Sequence, residues 1–214
     1  MSEYVVELKH ITKRFPGVVA LKDMSIGIRP GEIHGLIGEN GAGKSTFLRL
    51  ITGVFRADEG TILMDGEPIY ENPVMKKRMC YLPDELFFLS GSNMQGMADF
   101  YHSIYTDFDY QKFEKLTKDF QLNPKAPINA FSKGMKRQAA TILALATNPD
   151  YLFFDETFDG LDPVMRQAVK SIFASEIMSR EFTPVIASHN LRELEDICDH
   201  IGLLHQGGIL LSRD

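Results

Sequence analysis

The sequence predicts an α/β fold: a mainly parallel sheet with helices on both faces, an antiparallel β-rich N-terminal part and an inserted helical segment. Three observations lead there. Short apolar runs alternate with longer helical patterns, as in βαβ units. The runs Tyr151–Phe154 and Thr183–Ser188 lack the polar alternation of a half-exposed strand, so both faces of the sheet must be covered. A glycine-rich stretch, Gly38–Ser45, joins the apolar run Ile33–Ile37 to a helical pattern beginning near Phe47. With 214 residues, 44% of them hydrophobic, the chain is long enough to bury a full core.

Taken in order, Tyr4–Ile11 alternates apolar and polar residues as a half-exposed strand does. Phe15-Pro16-Gly17-Val18 turns into a second strand, Ala20–Ile28, which Pro30-Gly31 breaks before the buried run. The first helix runs to a stop at Gly53, and Thr61–Met64 followed by Asp65-Gly66 reads as a hairpin. Met79–Leu82 is a short strand ended by Pro83-Asp84-Glu85. From about 86 to 134 the character changes. Phe87, Phe88, Phe100, Tyr101, Tyr105, Phe108, Tyr110, Phe113 and Phe120 concentrate aromatics there, and Asp109 is placed to cap a helix burying Phe113, Leu116 and Phe120. This is read as a helical subdomain inserted in one domain spanning 1–214, its aromatics packing on each other. An Ala-rich helix ends at Asn148-Pro149, and the strand Tyr151–Asp155 follows. Pro163 opens a helix to about Arg180, and Thr183–Ser188 is a strand. Asn190 caps a helix to Cys198, and the strands Ile201–His205 and Ile209–Ser212 finish the pattern.

Composition narrows the function classes. A formal net charge of −6 offers no help to a polyanion partner, so no nucleic acid is expected. Cys80 and Cys198 lack metal-ligand or CxxC spacing and are expected as reduced thiols. The N-terminal residues alternate like a strand, so no apolar leader is expected, and no run approaches a membrane span. A soluble protein is expected, serving a membrane only through a partner.

The chemistry starts at Gly38-Glu39-Asn40-Gly41-Ala42-Gly43-Lys44-Ser45-Thr46. Its glycines let successive backbone N–H groups point into one concavity, at a helix N-terminus where the dipole also favours an anion. Lys44 adds a charge for the outer phosphates, and the Ser45 hydroxyl suits Mg²⁺. This is the phosphate loop of a P-loop NTPase. The strand Tyr151–Asp155 ends in two acids; Asp155 can hold the Mg²⁺ shell, and Glu156 can orient or deprotonate the attacking water. His189 follows the third strand end and is a candidate γ-phosphate sensor. Such ligands bind beyond the carboxyl ends of the strands.

With these residues in view, the whole chain resembles the ATP-binding cassette (ABC) ATPases. The resemblance implies that Phe15 stacks on adenine, that Gly38–Thr46 is the Walker A loop and Tyr151–Asp155 the Walker B strand. It implies Glu156 as the catalytic glutamate, His189 as the switch histidine, and Gly160-Leu161-Asp162-Pro163 as the D-loop. The signature motif, Leu-Ser-Gly-Gly-Gln in most members, falls at Phe131-Ser132-Lys133-Gly134-Met135. Ser132, Lys133, Gly134 and Met135 would close on ATP held by a second cassette, in a homodimer or heterodimer. The family's Q-loop glutamine aligns with Asp84, a shorter carboxylate that could reach a metal shell through water.

The implied function is an ATPase with ATP and Mg²⁺, driving transport through a separate polytopic membrane permease from the inner face of the cell membrane. Sugar-import cassettes share the Phe15–Leu21 stretch. From Tyr81-Leu82-Pro83 onward the likeness is to bacterial export subunits of the multidrug or antibiotic-resistance sort, so export is favoured. The alternatives are a sugar-import cassette, a non-transport cassette acting on ribosomes or DNA, and a regulatory subunit that binds ATP without turnover.

Overall fold

The computed structural model describes residues 3–156, 161 and 163–213. Two sheets result, and the predicted α/β architecture holds. The strands β1 (Val6–Phe15) and β2 (Val18–Ile28) form an antiparallel hairpin around the turn at Pro16-Gly17. After β3 (His34–Ile37) and α1 (Lys44–Ile51) come β4 (Glu59–Met64) and β5 (Glu67–Pro68), which join the hairpin in a four-stranded sheet of order β2-β1-β4-β5. A one-turn helix, α2 (Pro73–Lys77), leads to β6 (Met79–Leu82). The helices α3 (Met94–Ile104) and α4 (Tyr110–Asp119), a 3₁₀ turn at Ile128–Ala130 and α5 (Lys133–Ala146) precede β7 (Tyr151–Asp155). Then α6 (Pro163–Ser179), β8 (Thr183–Ser188), α7 (Leu191–Glu195), β9 (His200–His205) and β10 (Gly208–Arg213) complete the chain.

The second sheet has the order β10-β9-β3-β8-β7-β6, parallel throughout except for β10. Every residue of β7 and β8 is buried, as the missing alternation predicts. The two-residue strand period then divides the core. Tyr151, Phe153, Val185 and Ala187 face α1 and the N-terminal sheet, whereas Leu152, Phe154 and Ile186 face α5, α6 and α7. Both faces bury large side chains, and each buried aliphatic or aromatic chain contributes about 1.5–3 kcal/mol.

Side-chain caps set the helix starts. Asp109 Oδ1 accepts from the Lys112 amide at 2.9 Å and opens α4, which buries Phe113 and Leu116. Asn93 caps α3 through the Gly96 amide at 2.8 Å, and Asn72 with Pro73 starts α2. The aromatics between 86 and 134 pack largely on one another: the Phe108 ring meets Tyr110 at 5.1 Å and Phe113 at 6.1 Å, and Tyr101 stacks on Tyr105. Cys80 and Cys198 are free thiols. Some boundaries differ from expectation: β1 runs to Phe15 and not to Ile11, and β2 starts at Val18 and not at Ala20. The helix capped by Asn190 ends at Glu195 instead of Cys198, because Asp199 is drawn to Ile33, just before β3, whose amide donates to its carboxylate at 2.9 Å.

Candidate active site

Three loops meet at the carboxyl end of the parallel sheet, each fixed by the strand before it. The loop after β3 is held to its neighbour by the Gly38 amide, which donates to Ser188 O at 3.4 Å. Gly43 precedes α1 with φ of +108°, a left-handed backbone that disfavours any side chain. A Cβ there would lie 2.7 Å from Ala20 O, so β2 closes against the loop only because the position is glycine. Ala42 is buried beneath, while Glu39, Asn40 and Gly41 are exposed at the rim and Thr46 is half-buried in α1.

Lys44 lies across this loop. It is 5% exposed, and its Nζ donates to Gly38 O at 2.7 Å and Glu39 O at 3.1 Å. The same ammonium lies 3.1 Å from Glu156 Oε1. The other oxygen, Oε2, is 2.6 Å from Nδ1 of His189, the residue following β8. A cation, a carboxylate and an imidazole contributed by three strand ends thus form one continuous chain. Glu156 is itself unusual: its φ is +53°, left-handed for a non-glycine residue. Its amide donates to Ala187 O at 2.9 Å and its carbonyl accepts from Arg137 Nη1 at 2.7 Å, which fixes the peptides on either side.

Beside this chain Ser45 Oγ donates to Asp155 Oδ1 at 3.0 Å, and the Tyr81 hydroxyl donates to Oδ2 at 3.1 Å. Asp155 is 1% exposed, and burial raises its pKa above the usual carboxylate value, partly opposed by the hydrogen bonds from Ser45 and Tyr81. Burial, then the neighbouring Asp155 charge, pushes the Tyr81 phenol up to about 12, so it stays a donor. The oxygens of Ser45 and Asp155 lie side by side, a hard donor pair that fits Mg²⁺.

The remaining predicted residues lie around this centre. Phe15 ends β1 with its ring edge-on to Phe55 at 5.4 Å, and Lys13 Nζ lies 5.4 Å from its centroid. Ser132 caps α5 by accepting from the Met135 amide at 3.2 Å, leaving Lys133 exposed and Gly134 half-buried on the first turn. Asp84, expected near a metal shell, directs its carboxylate to Arg137 Nη2 at 2.9 Å. Asp162 lies outside the described residues. Tyr81, Phe55 and Arg137 escaped the sequence reading. The parallel pairing of β6 with β7 sets Tyr81 opposite Phe153, a register that only the fold reveals.

The family model described as "ABC transporter" matches residues 21–159. The chain is 34% identical over 210 residues to the ABC transporter ATP-binding protein YtrB of Bacillus subtilis, covering 98% of this chain and 72% of that protein. Relatives with opposite transport names also match. The lipopolysaccharide export system ATP-binding protein LptB of Haemophilus influenzae is 27% identical, covering 97% of this chain and 90% of that protein. A putative ribose/galactose/methyl galactoside import ATP-binding protein of Hahella chejuensis is 29% identical over 96% of this chain, which spans only 42% of that relative. A solved ATP-binding subunit of an ABC transporter superposes with a TM-score of 0.88 at 24% identity, covering 97% of this chain and 89% of that one, and so supports the fold. A phosphate loop, an acid-ended strand and a matching family model over most of the chain lead to one conclusion: the chain belongs to the ABC transporter family, as one of its ATP-binding subunits.

Proposed function

We propose that this subunit hydrolyses ATP with Glu156 as the base and drives export through a separate membrane permease. The observation that carries the reading is the Lys44–Glu156–His189 chain beside the Ser45–Asp155 pair. The loop amides of 38–46 and Lys44 bind the β- and γ-phosphates, and Phe15 stacks on the base. Incoming phosphate competes for the Lys44 ammonium and so releases Glu156 from its ion pair. Glu156 then takes a proton from water whose oxygen bonds to the γ-phosphorus, as the bond from that phosphorus to the β–γ bridging oxygen breaks and ADP leaves. His189 holds Glu156 in orientation and donates to the γ-phosphate. Ser45 and Asp155 would hold Mg²⁺, which supplies charge neutralisation at the phosphate oxygens.

The single domain spans 1–214, with the segment 86–134 as its helical subdomain. Ser132, Lys133, Gly134 and Met135, on the open first turn of α5, would meet ATP held by a second cassette, and Asp162 would lie at the same junction. A cleft of about 190 Å³ between Pro83, Leu86, Phe87 and the α3 residues Phe100, Tyr101 and Ile104 is the permease docking surface, with Phe87 65% exposed and Ile104 53% exposed. The protein would therefore sit on the cytoplasmic face of a membrane. No helix among the described residues is long and apolar enough to cross one. Export is favoured on the stretch from Tyr81 onward, Ser132-Lys133-Gly134-Met135-Lys136 above all, which resembles export-type subunits.

The test is co-expression with neighbouring genes and purification from detergent-solubilised membranes. A complex with a polytopic protein and ATPase activity that rises in it supports the reading. Glu156→Gln should cut turnover at least a hundredfold while leaving ATP binding intact. Wild-type turnover in that variant would remove Glu156 as the base, and recovery with ribosomes or DNA alone would remove the transport role.

A further inference from the structure

Arg137 lies one turn into α5 and is 2% exposed, a buried guanidinium between two loops distant in sequence. Nη1 donates to Glu156 O at 2.7 Å, and Nη2 pairs with Asp84 Oδ1 at 2.9 Å. Asp84 itself is mostly solvent-facing, with its side chain 63% exposed, and belongs to the loop that leaves β6. The buried Nε of Arg137 has no hydrogen-bond partner among the described residues. For stability alone this is a poor arrangement. A buried charge with an unsatisfied donor costs free energy that an apolar residue of similar shape avoids.

The contact to Glu156 explains why an arginine belongs there. A glutamate with φ of +53° holds a sparsely populated conformation only if its surroundings enforce it. Strand β8 grips the peptide before it through Ala187 O, and Arg137 grips the carbonyl after it. Together they aim the side chain so that its two oxygens reach Lys44 and His189. Release of either grip lets the backbone relax and turns the carboxylate away. Arg137 is in turn held by Asp84, beside the Pro83–Phe87 cleft, along one wall of a groove of about 410 Å³ that also includes Lys133 and Lys136.

We propose that Arg137 is a positioning residue that sets the orientation of Glu156, with Asp84 as the counter-ion that holds the guanidinium in place. The inference rests on Glu156 as the base. It assigns Asp84 to Arg137 in place of a metal shell.

The test is steady-state Mg²⁺-ATPase activity of the full chain carrying Arg137→Met, Arg137→Lys, Asp84→Ala and the Asp84→Ala/Arg137→Met double substitution. ATP affinity is read by calorimetry, and the Mg²⁺ half-saturation is measured for each. Loss of a charged hydrogen bond predicts a kcat at least about tenfold lower in Arg137→Met. ATP affinity should stay within about twofold, because the side-chain hydrogen bonds of Arg137 among the described residues go to Glu156 O and Asp84, and Arg137→Lys should recover part of the rate. Asp84→Ala should slow turnover several-fold in the parent, about in proportion to one lost ion pair, and not at all in the Arg137→Met background.

Wild-type kcat in Arg137→Met overturns the proposal. So does an Asp84→Ala effect that persists in the double variant together with a raised Mg²⁺ half-saturation, which would return Asp84 to the metal. If Arg137→Met does not fold, Asp84→Ala decides alone: slower turnover at unchanged Mg²⁺ half-saturation supports the proposal, and unchanged turnover overturns it. If Glu156→Gln turns over normally while Arg137→Met does not, the assignment of the base has failed and Arg137 serves another group.

Discussion

His34 gives the strand that feeds the phosphate loop a measurable sensitivity to acid. It lies on β3 at 1% exposure, its ring stacked on His200 at 4.8 Å, and neither of its nitrogens has a hydrogen-bond partner among the described residues. Burial, with a lesser contribution from His200, pushes its pKa down from 6.5 to about 3. The folded state therefore keeps the ring neutral while the unfolded chain binds a proton below 6.5. The stability that follows from the neutral ring is complete above that value and declines as pH falls toward 3. Between pH 7 and 5 the unfolded histidine gains about 1.5 pH units of protonation free energy, or roughly 2 kcal/mol. The folded value lies so far below this window that its exact position hardly changes the result. Urea unfolding of the wild type and His34→Leu at both pH values, followed by far-ultraviolet circular dichroism, isolates the contribution. The variant should lose about 2 kcal/mol less than the wild type over that interval. Equal losses in the two proteins would refute the claim that a buried neutral His34 is responsible.

Other substitutions test the loop and the carboxylate beside it. Gly43→Ala should abolish nucleotide binding and destabilise the fold, since its Cβ would meet Ala20 O at 2.7 Å. Gly41→Ala, also at positive φ but with no atom within 4 Å, should cost only about 1–2 kcal/mol of backbone strain. Nucleotide titration and thermal melting of the pair distinguish steric closure from conformational preference. Tyr81→Phe should lower stability by about 1 kcal/mol and raise the pKa of Asp155 further, because one of the two hydrogen bonds that oppose burial is lost. An infrared titration of the carboxylate would read that shift, and an unchanged band would exclude the Tyr81 contribution.

What could be read from the sequence was what is local in the chain. The phosphate loop is a contiguous stretch whose glycines and lysine act where they stand, and β7 and β8 declared themselves by lacking polar alternation. The cap residues Asp109 and Asn190 were legible for the same reason. Helix α2 has five residues, too few for any periodicity, so only Asn72-Pro73 marks it. The end of α7 depended on Asp199 reaching Ile33 just before β3, a tertiary demand that overrides the helical pattern. The contacts that aim the site are also non-local. Tyr81 lies 74 positions from Asp155, and Arg137 lies 53 from Asp84 and 19 from Glu156. Nothing in residue spacing announces such pairs, and the left-handed backbone of Glu156 is visible only once they are formed.

The division of the core by the six-stranded sheet has a consequence for how such a subunit can diverge. The buried cluster on the α1 side takes no side chain from positions 82–150, and the cluster on the α5 side takes none from 38–79. Substitutions accumulating in the helical segment therefore need compensation only from their own side of the sheet. A lineage can refit that segment to a new membrane partner while the nucleotide half keeps its packing unchanged. The strands are the shared wall, and their alternating side chains keep each tenant's alterations out of the other's room.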